Sequence, residues 1–172
     1  MSVNNGLYTS ATDEWSTPPQ FFRALDAEFH FTLDPCATDA NHKAPKYYTA
    51  KEDGLAQSWA GETVFINPPY GREIAKWIRK AAEESETTGT TCVMLLPART
   101  DTAWFHDYIL GKADIIRFIR GRLRYGGSNQ NAPFPSMIVV FESAATKFEK
   151  RITYKGIMTG MQREQEADNA EI

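Results

Sequence analysis

The run Thr90-Thr91-Cys92-Val93-Met94-Leu95-Leu96-Pro97 limits the possible folds more than any other stretch. It is almost continuously apolar, far too short to cross a bilayer as a helix, and closed by a proline. Such a run suits a strand buried on both faces, which belongs to a mostly parallel sheet covered by helices. The neighbouring sequence supplies the other parts. Phe21, Phe22, Leu25 and Phe29 fall on one helical face in "TPPQFFRALDAEF", with Thr17 placed as cap and Pro18 or Pro19 in the first turn. Ile74, Trp77, Ile78, Ala81 and Ala82 give a second helix in "GREIAKWIRKAAEESE". "TDTAWFHDYIL" reads as a third, capped by Thr100 or Asp101. Strands are expected in "FHFTLDP", at 46–49, in "ETVFIN", in "DIIRFIRG" and in "PSMIVVFE". Strands alternating with helices define an α/β fold with a mostly parallel sheet.

The 172 residues suit one domain with a single core. We place a loose N-terminus at 1–12, a single domain at 13–146 and a charged tail at 147–172. No apolar run reaches bilayer length, and "MSVNNGLYTSATDEW" lacks the basic-then-apolar order of a signal peptide; a cytoplasmic protein is expected. Two cysteines, Cys36 and Cys92, exclude a disulfide scaffold. His30, His42 and His106 are scattered, and Cys36 with His42 lacks two further ligands at metal-like spacing, so no metal is expected. The net charge of −3 argues against a broad non-specific nucleic-acid surface. Positive charge is nevertheless concentrated in "KADIIRFIRGRLRYGG", where Lys112, Arg117, Arg120, Arg122 and Arg124 face one acid, Asp114.

In open α/β sheets, ligands bind beyond the carboxyl ends of the strands. Asn67-Pro68-Pro69-Tyr70 follows "ETVFI" directly and precedes the second helix, so it falls where a site belongs. An Asn side chain presents an accepting oxygen, and a proline keeps its carbonyl while lacking an N–H. The second proline restricts the residue before it and so aims that carbonyl. Two rigid acceptors beside the flat face of Tyr70 suit a planar group carrying an NH2. Accepting both hydrogens frees the nitrogen lone pair and stabilises the positive charge that develops as it attacks. Taken alone, Asn before Pro is also a common turn opener; the strand before it and the helix after it favour the functional reading.

Together, "DEWSTPPQFF", "LDPCAT", "INPPYG", "LLPARTDTAWFH" and "GRLRYGG…APFPSMIVVF" resemble the phage-type DNA N6-adenine methyltransferase family. The resemblance runs from Asp13 to Phe141. It implies a Rossmann-like S-adenosylmethionine-dependent methyltransferase fold whose mostly parallel sheet is flanked by helices and ends in an antiparallel last strand. It further implies that Asn67, Pro68, Pro69 and Tyr70 are catalytic and that the methyl donor is S-adenosylmethionine. The donor's expected contacts are Trp15, Thr17 and Pro18 from the N-terminal block, and Asp34, Pro35, Cys36 and Ala37 after the first strand. Asp53, Leu55 and Asn67 complete the set, with Asp34 as partner for the donor's polar groups and Asp53 for its adenine amine. Other readings of these residues are a helix cap for Thr17, a core aromatic for Trp15, and plain turns for Asp34-Pro35 and Asp53-Gly54. The chain has no glycine between residues 7 and 53. It thus lacks the Gly-rich loop that many methyltransferases carry at this point, as the phage-type family also does.

An adenine amine in a duplex is stacked and paired, so the base must be flipped out or presented on a single strand. Tyr70 is the expected stacking surface, and Phe134 fits either the opposite wall or the core. Arg99, Arg120, Arg122 and Arg124 suit phosphate contact, against the alternative of a solvated face. Asn129, in "YGGSNQN", suits base reading. The partner is then DNA, met by a monomer or homodimer in the cytoplasm of a bacterial host, with the chain phage- or prophage-encoded and serving, by family analogy, to protect phage DNA from host nucleases. Asn-Pro-Pro-Tyr also permits cytosine N4, an RNA base or a protein glutamine as acceptor. A non-catalytic nucleic-acid binder is the alternative from another class.

Overall fold

The apolar run at 90–97 becomes the middle of one seven-stranded sheet. A computed structural model of the chain describes residues 15–126 and 130–143, and the backbone of 151–153. The elements are α1 (Pro19–Phe29), β1 (Leu33–Asp34), β2 (Lys46–Tyr47), β3 (Thr63–Ile66), α2 (Ile74–Thr87), β4 (Thr91–Pro97), α3 (Ala103–Tyr108), β5 (Ile115–Phe118), β6 (Ser136–Phe141) and β7 (Arg151–Thr153). The spatial order is β2-β1-β3-β4-β6-β5-β7. β2, β1, β3 and β4 run parallel to one another; β6 is antiparallel to both neighbours, β4 and β5. β7 pairs parallel to β5.

Strand alternation divides the core into two layers, because successive side chains point to opposite faces. On one face, Val64, Ile66, Met94, Leu96, Met137 and Val139 pack with Trp77, Ile78 and Ala81 of α2 and Phe105 of α3. On the other, Phe65, Val93, Leu95, Ile138 and Val140 pack with Phe21 and Leu25 of α1. Helices thus cover both faces, as expected for a strand apolar throughout.

Three local expectations change. Thr17 does not cap α1: Pro18 takes the N-cap position in extended conformation, Pro19 opens the helix, and no side chain caps it. A proline at the first position needs no acceptor for an N–H it lacks. The cap position of α3 is Thr102 rather than Thr100 or Asp101, and the helix is one short segment because the chain turns at Ile109. The antiparallel strand β6 is not last in the chain, since β7 follows within the stretch read as a tail. Ile152 and Thr153 are β-branched and suit a strand, but three residues in a charged stretch carry no periodic signal. The expected loose segment 1–12 lies outside the described residues.

Candidate active site at the carboxyl ends of the strands

β1, β2 and β3 end at one edge of the sheet, and the loops leaving them enclose a cleft of about 590 Å³. That is the size of a small-molecule site. Its position fits the chain's reversal of direction: β1 has β2 on one side and β3 on the other. Of the residues singled out in the sequence, Trp15, Pro35, Cys36, Ala37, Asp53, Asn67, Pro68 and Pro69 line this cleft. Thr17, Pro18, Asp34 and Leu55 do not. Leu55 packs against the α2 face of the core.

Asp34 is only 3% exposed. Its Oδ1 accepts the Cys36 N–H at 3.4 Å and its Oδ2 the Lys43 N–H at 3.0 Å. The carboxylate therefore fastens the loop that walls the cleft. Burial pushes its pKa up to about 6, with those two N–H groups pulling the other way. The wall is closed by a backbone approach that only glycine permits. A Cβ on Gly54 would lie 1.8 Å from the Pro35 carbonyl oxygen. Trp59 donates its Nε1–H to the Gly54 carbonyl at 2.9 Å and holds the turn in place. Asp53, with φ of 53°, begins that turn, and its Oδ1 accepts the Leu55 N–H at 3.2 Å.

Asn67 leaves β3 with its side chain under strict control. Its Nδ2 donates to the Trp15 carbonyl and, at 3.0 Å, to Thr17 Oγ1. Its Oδ1 is buried and has no hydrogen-bond partner among the described residues. A buried acceptor without a donor is costly, which sets this oxygen apart from the other polar atoms around the cleft. Pro68, also buried, lines the cleft next in the chain.

Tyr70 is half-buried, and its hydroxyl lies 3.2 Å from the Leu95 carbonyl and 3.3 Å from the Tyr125 hydroxyl. Tyr125 continues the chain to Ser136 Oγ at 3.0 Å. Burial holds the Tyr70 phenol well above its ordinary range, so it stays protonated. Phe134 meets the Tyr70 ring at 5.6 Å and 77°, and the Trp15 ring at 5.1 Å and 86°. These T-shaped contacts make Phe134 part of an aromatic cluster and leave no parallel slot between it and Tyr70.

The arginines follow the neighbouring strands at the same edge. Arg99 follows β4, and Arg120, Arg122 and Arg124 follow β5; all four are exposed. Arg124 donates from Nε to Asn131 Oδ1 at 3.1 Å. Arg117, in the same basic run, is instead paired with Glu28 and lies over the Phe29 ring. Asn129 lies outside the described residues. His42 stacks on Tyr47 at 4.3 Å.

Sequence reasoning missed several cleft residues. Lys51 and Asp39 come from loops with no periodic signal. Trp77 was assigned to the helix core; it does pack there, stacked on Trp59 at 6.1 Å, and reaches the cleft as well. Outside the cleft, Tyr125 carries no periodic signal in the sequence, yet it is buried.

A preset acceptor at the end of a core strand, beside a small-molecule cleft, is the layout of a group-transfer α/β enzyme, and comparison with known sequences identifies the class. The chain belongs to the DNA N-6-adenine-methyltransferase (Dam) family, whose model matches residues 5–168. It is 28% identical over 152 residues to the DNA N-6-adenine-methyltransferase of Haemophilus phage HP1 (strain HP1c1), covering 84% of this chain and 87% of that one. Over 106 residues it is 34% identical to the DNA N-6-adenine-methyltransferase of Escherichia phage T1, covering 60% of this chain and 44% of that protein. A third relative, the putative methyltransferase YfdM of Escherichia coli (strain K12), is 35% identical over 65 residues, 34% of this chain and 71% of that one. No described helix is long and apolar enough to cross a membrane.

Proposed function

We propose that the chain methylates the N6 amine of adenine in DNA, with S-adenosylmethionine bound in the β1–β3 cleft of a Rossmann-like methyltransferase fold. The observation that carries the mechanism is the buried, unpartnered Asn67 Oδ1. Family membership supports the substrate. The cleft residues fit the donor: Cys36 and Ala37 are small and let backbone approach it, Trp15 and Trp77 offer apolar walls, and Asp53 is at hand for an amine. When bound, S-adenosylmethionine supplies a methyl group already activated on sulfur.

The protein's residues then orient the acceptor. The adenine amine donates its hydrogens to Asn67 Oδ1 and the Pro68 carbonyl. Its lone pair is freed and aimed toward the cleft, and the positive charge that develops meets two preset oxygens. Tyr70 provides a surface for the flipped base. Neither Tyr70 nor Tyr125 accepts the proton afterwards, because burial raises both phenols; it leaves to water. Arg99, Arg120, Arg122 and Arg124 hold phosphates on the arginine-rich side, and the reaction takes place in the cytoplasm of a bacterial host.

The test is methyl transfer from radiolabelled S-adenosylmethionine to DNA, RNA and protein, followed by digestion of the product to nucleosides. Label in N6-methyladenosine of DNA is the expected result. Label in cytosine, RNA or a glutamine amide would overturn the acceptor assignment and keep the pocket. Donor binding without transfer would make the chain a binder.

A further inference from the structure

An Asn side chain has one accepting oxygen and two donating N–H groups, and turning it over exchanges them. Transfer needs the oxygen toward the substrate, so the orientation of Asn67 matters as much as its identity. Two neighbours set that orientation. The Trp15 carbonyl can only accept, so it faces the NH2 end. Thr17 Oγ1 accepts from the same nitrogen at 3.0 Å. A turned-over amide would set Oδ1 against the Trp15 carbonyl oxygen and lose that bond. With both N–H groups engaged, Oδ1 has only the buried, unpartnered position left.

Thr17 has no other evident task. Its side chain does not cap α1, it does not line the cleft, and it is 3% exposed. The segment carrying it is itself fixed. Gly126 donates its N–H to the Ser16 carbonyl at 2.8 Å, Ser16 Oγ donates to Asn41 Oδ1 at 3.2 Å, and Pro18 and Pro19 stiffen the chain beyond.

We infer that Thr17 is a positioning residue for the transfer reaction, acting through the Asn67 amide and not through the methyl donor. This rests on the proposed methyl transfer. It also departs from the donor contact that the family resemblance implies for Thr17. The clamp has a further consequence: Trp15 and Ser16 line the donor cleft while the Trp15 carbonyl orients Asn67, so one short segment serves both reactants.

The experiment compares Thr17→Val and Thr17→Ser in the full chain. Val is nearly isosteric and removes the acceptor; Ser keeps it. Thr17→Val is expected to lower kcat about 10- to 100-fold, the scale of a misplaced reacting group, and to leave the dissociation constant of S-adenosylmethionine within about threefold. Thr17→Ser is expected to recover most of kcat, which a purely steric role for the methyl group would not allow. The Asn67 side-chain amide signals in a ¹⁵N–¹H spectrum should shift in Thr17→Val and return in Thr17→Ser. Weaker donor binding with kcat retained at saturation would overturn the inference and make Thr17 a donor contact. Unchanged kcat and unchanged amide signals in Thr17→Val would also overturn it. Should the wild-type chain transfer no methyl group to adenine, the proposed function fails. The amide signals still decide whether Thr17 holds Asn67.

Discussion

Around the ends of β1, β2 and β3, the site is fastened by hydrogen bonds. Asp34 ties its own loop, Trp59 pins Gly54 against Pro35, and Asn67 is clamped by Trp15 and Thr17. Around the ends of β4 and β5 and the start of β6, ring contacts among Trp15, Tyr70, Tyr125 and Phe134 give way to four exposed arginines. Hydrogen bonds fix direction, which a reaction at one nitrogen requires. The ring cluster has hydroxyl contacts of its own, among Tyr70, Leu95, Tyr125 and Ser136, but the exposed arginines beyond it fix only proximity, which suits a long polymer that must be admitted and released. On the proposed function, the difference separates the part assigned to the chemistry from the part assigned to the nucleic acid.

The largest effect should come from breaking the fastened side at its centre. Asn67→Ala removes the preset acceptor and should lower kcat about a thousandfold, near the upper end for loss of one preorganised group. Donor affinity, read by calorimetry, should change little; full activity in this variant would end the amine-acceptor argument. Gly54→Ala comes next. Its Cβ cannot share space with the Pro35 carbonyl, so the loop must move. We expect donor affinity to fall about tenfold and stability by about 1–3 kcal/mol, as for overpacked sites. Urea melts and donor titrations measure both.

On the other side, Arg122→Ala should leave kcat at saturating DNA alone. DNA affinity should weaken severalfold, and the slope of log K against log salt should become shallower by about 0.9 if one phosphate contact is lost. An unchanged slope would assign this arginine to solvent. The last effect is on pH dependence. Burial raises Asp34 from 3.8 to about 6, so the folded protein binds more protons than the unfolded chain between those values. Its contribution to stability is therefore full below about 3.8 and falls as pH rises through about 6. In Asp34→Asn that component should vanish, seen as the difference in urea midpoints between the two proteins from pH 4 to 7.

Much of this could be read from the chain, and the limits are physical. The apolar run at 91–97 and the helical spacing of Ile74, Trp77, Ile78 and Ala81 are signals of local period, and both elements formed where expected. Asn67 to Tyr70 was legible because strand, motif and helix are contiguous. The partner of Thr17 was not legible: it lies 50 positions away, and a threonine before proline looks like a helix cap whatever it does. The Lys43 N–H on Asp34 was not legible either, since it reaches the carboxylate only after the chain has turned through an irregular segment. Gly54 was visible as a turn, while the reason for it, the Pro35 carbonyl, depends on tertiary approach alone.

The reversed direction of β6 carries one more consequence. Because β5 ends and β6 begins at the cleft edge, the connection from 119 to 135 leaves and returns on the same side of the sheet. A crossover between parallel strands must span the sheet's height, which sets a minimum length; this loop has no such minimum. Its exposed positions are therefore free to vary, while Leu123, Tyr125 and Ala132 hold it to the core and Gly126 ties it to the Ser16 carbonyl. Exposed positions such as Arg120, Arg122 and Arg124 can thus be rewritten one by one, whereas Tyr125 and Gly126 couple the same connection to the Trp15–Ser16 segment that clamps Asn67.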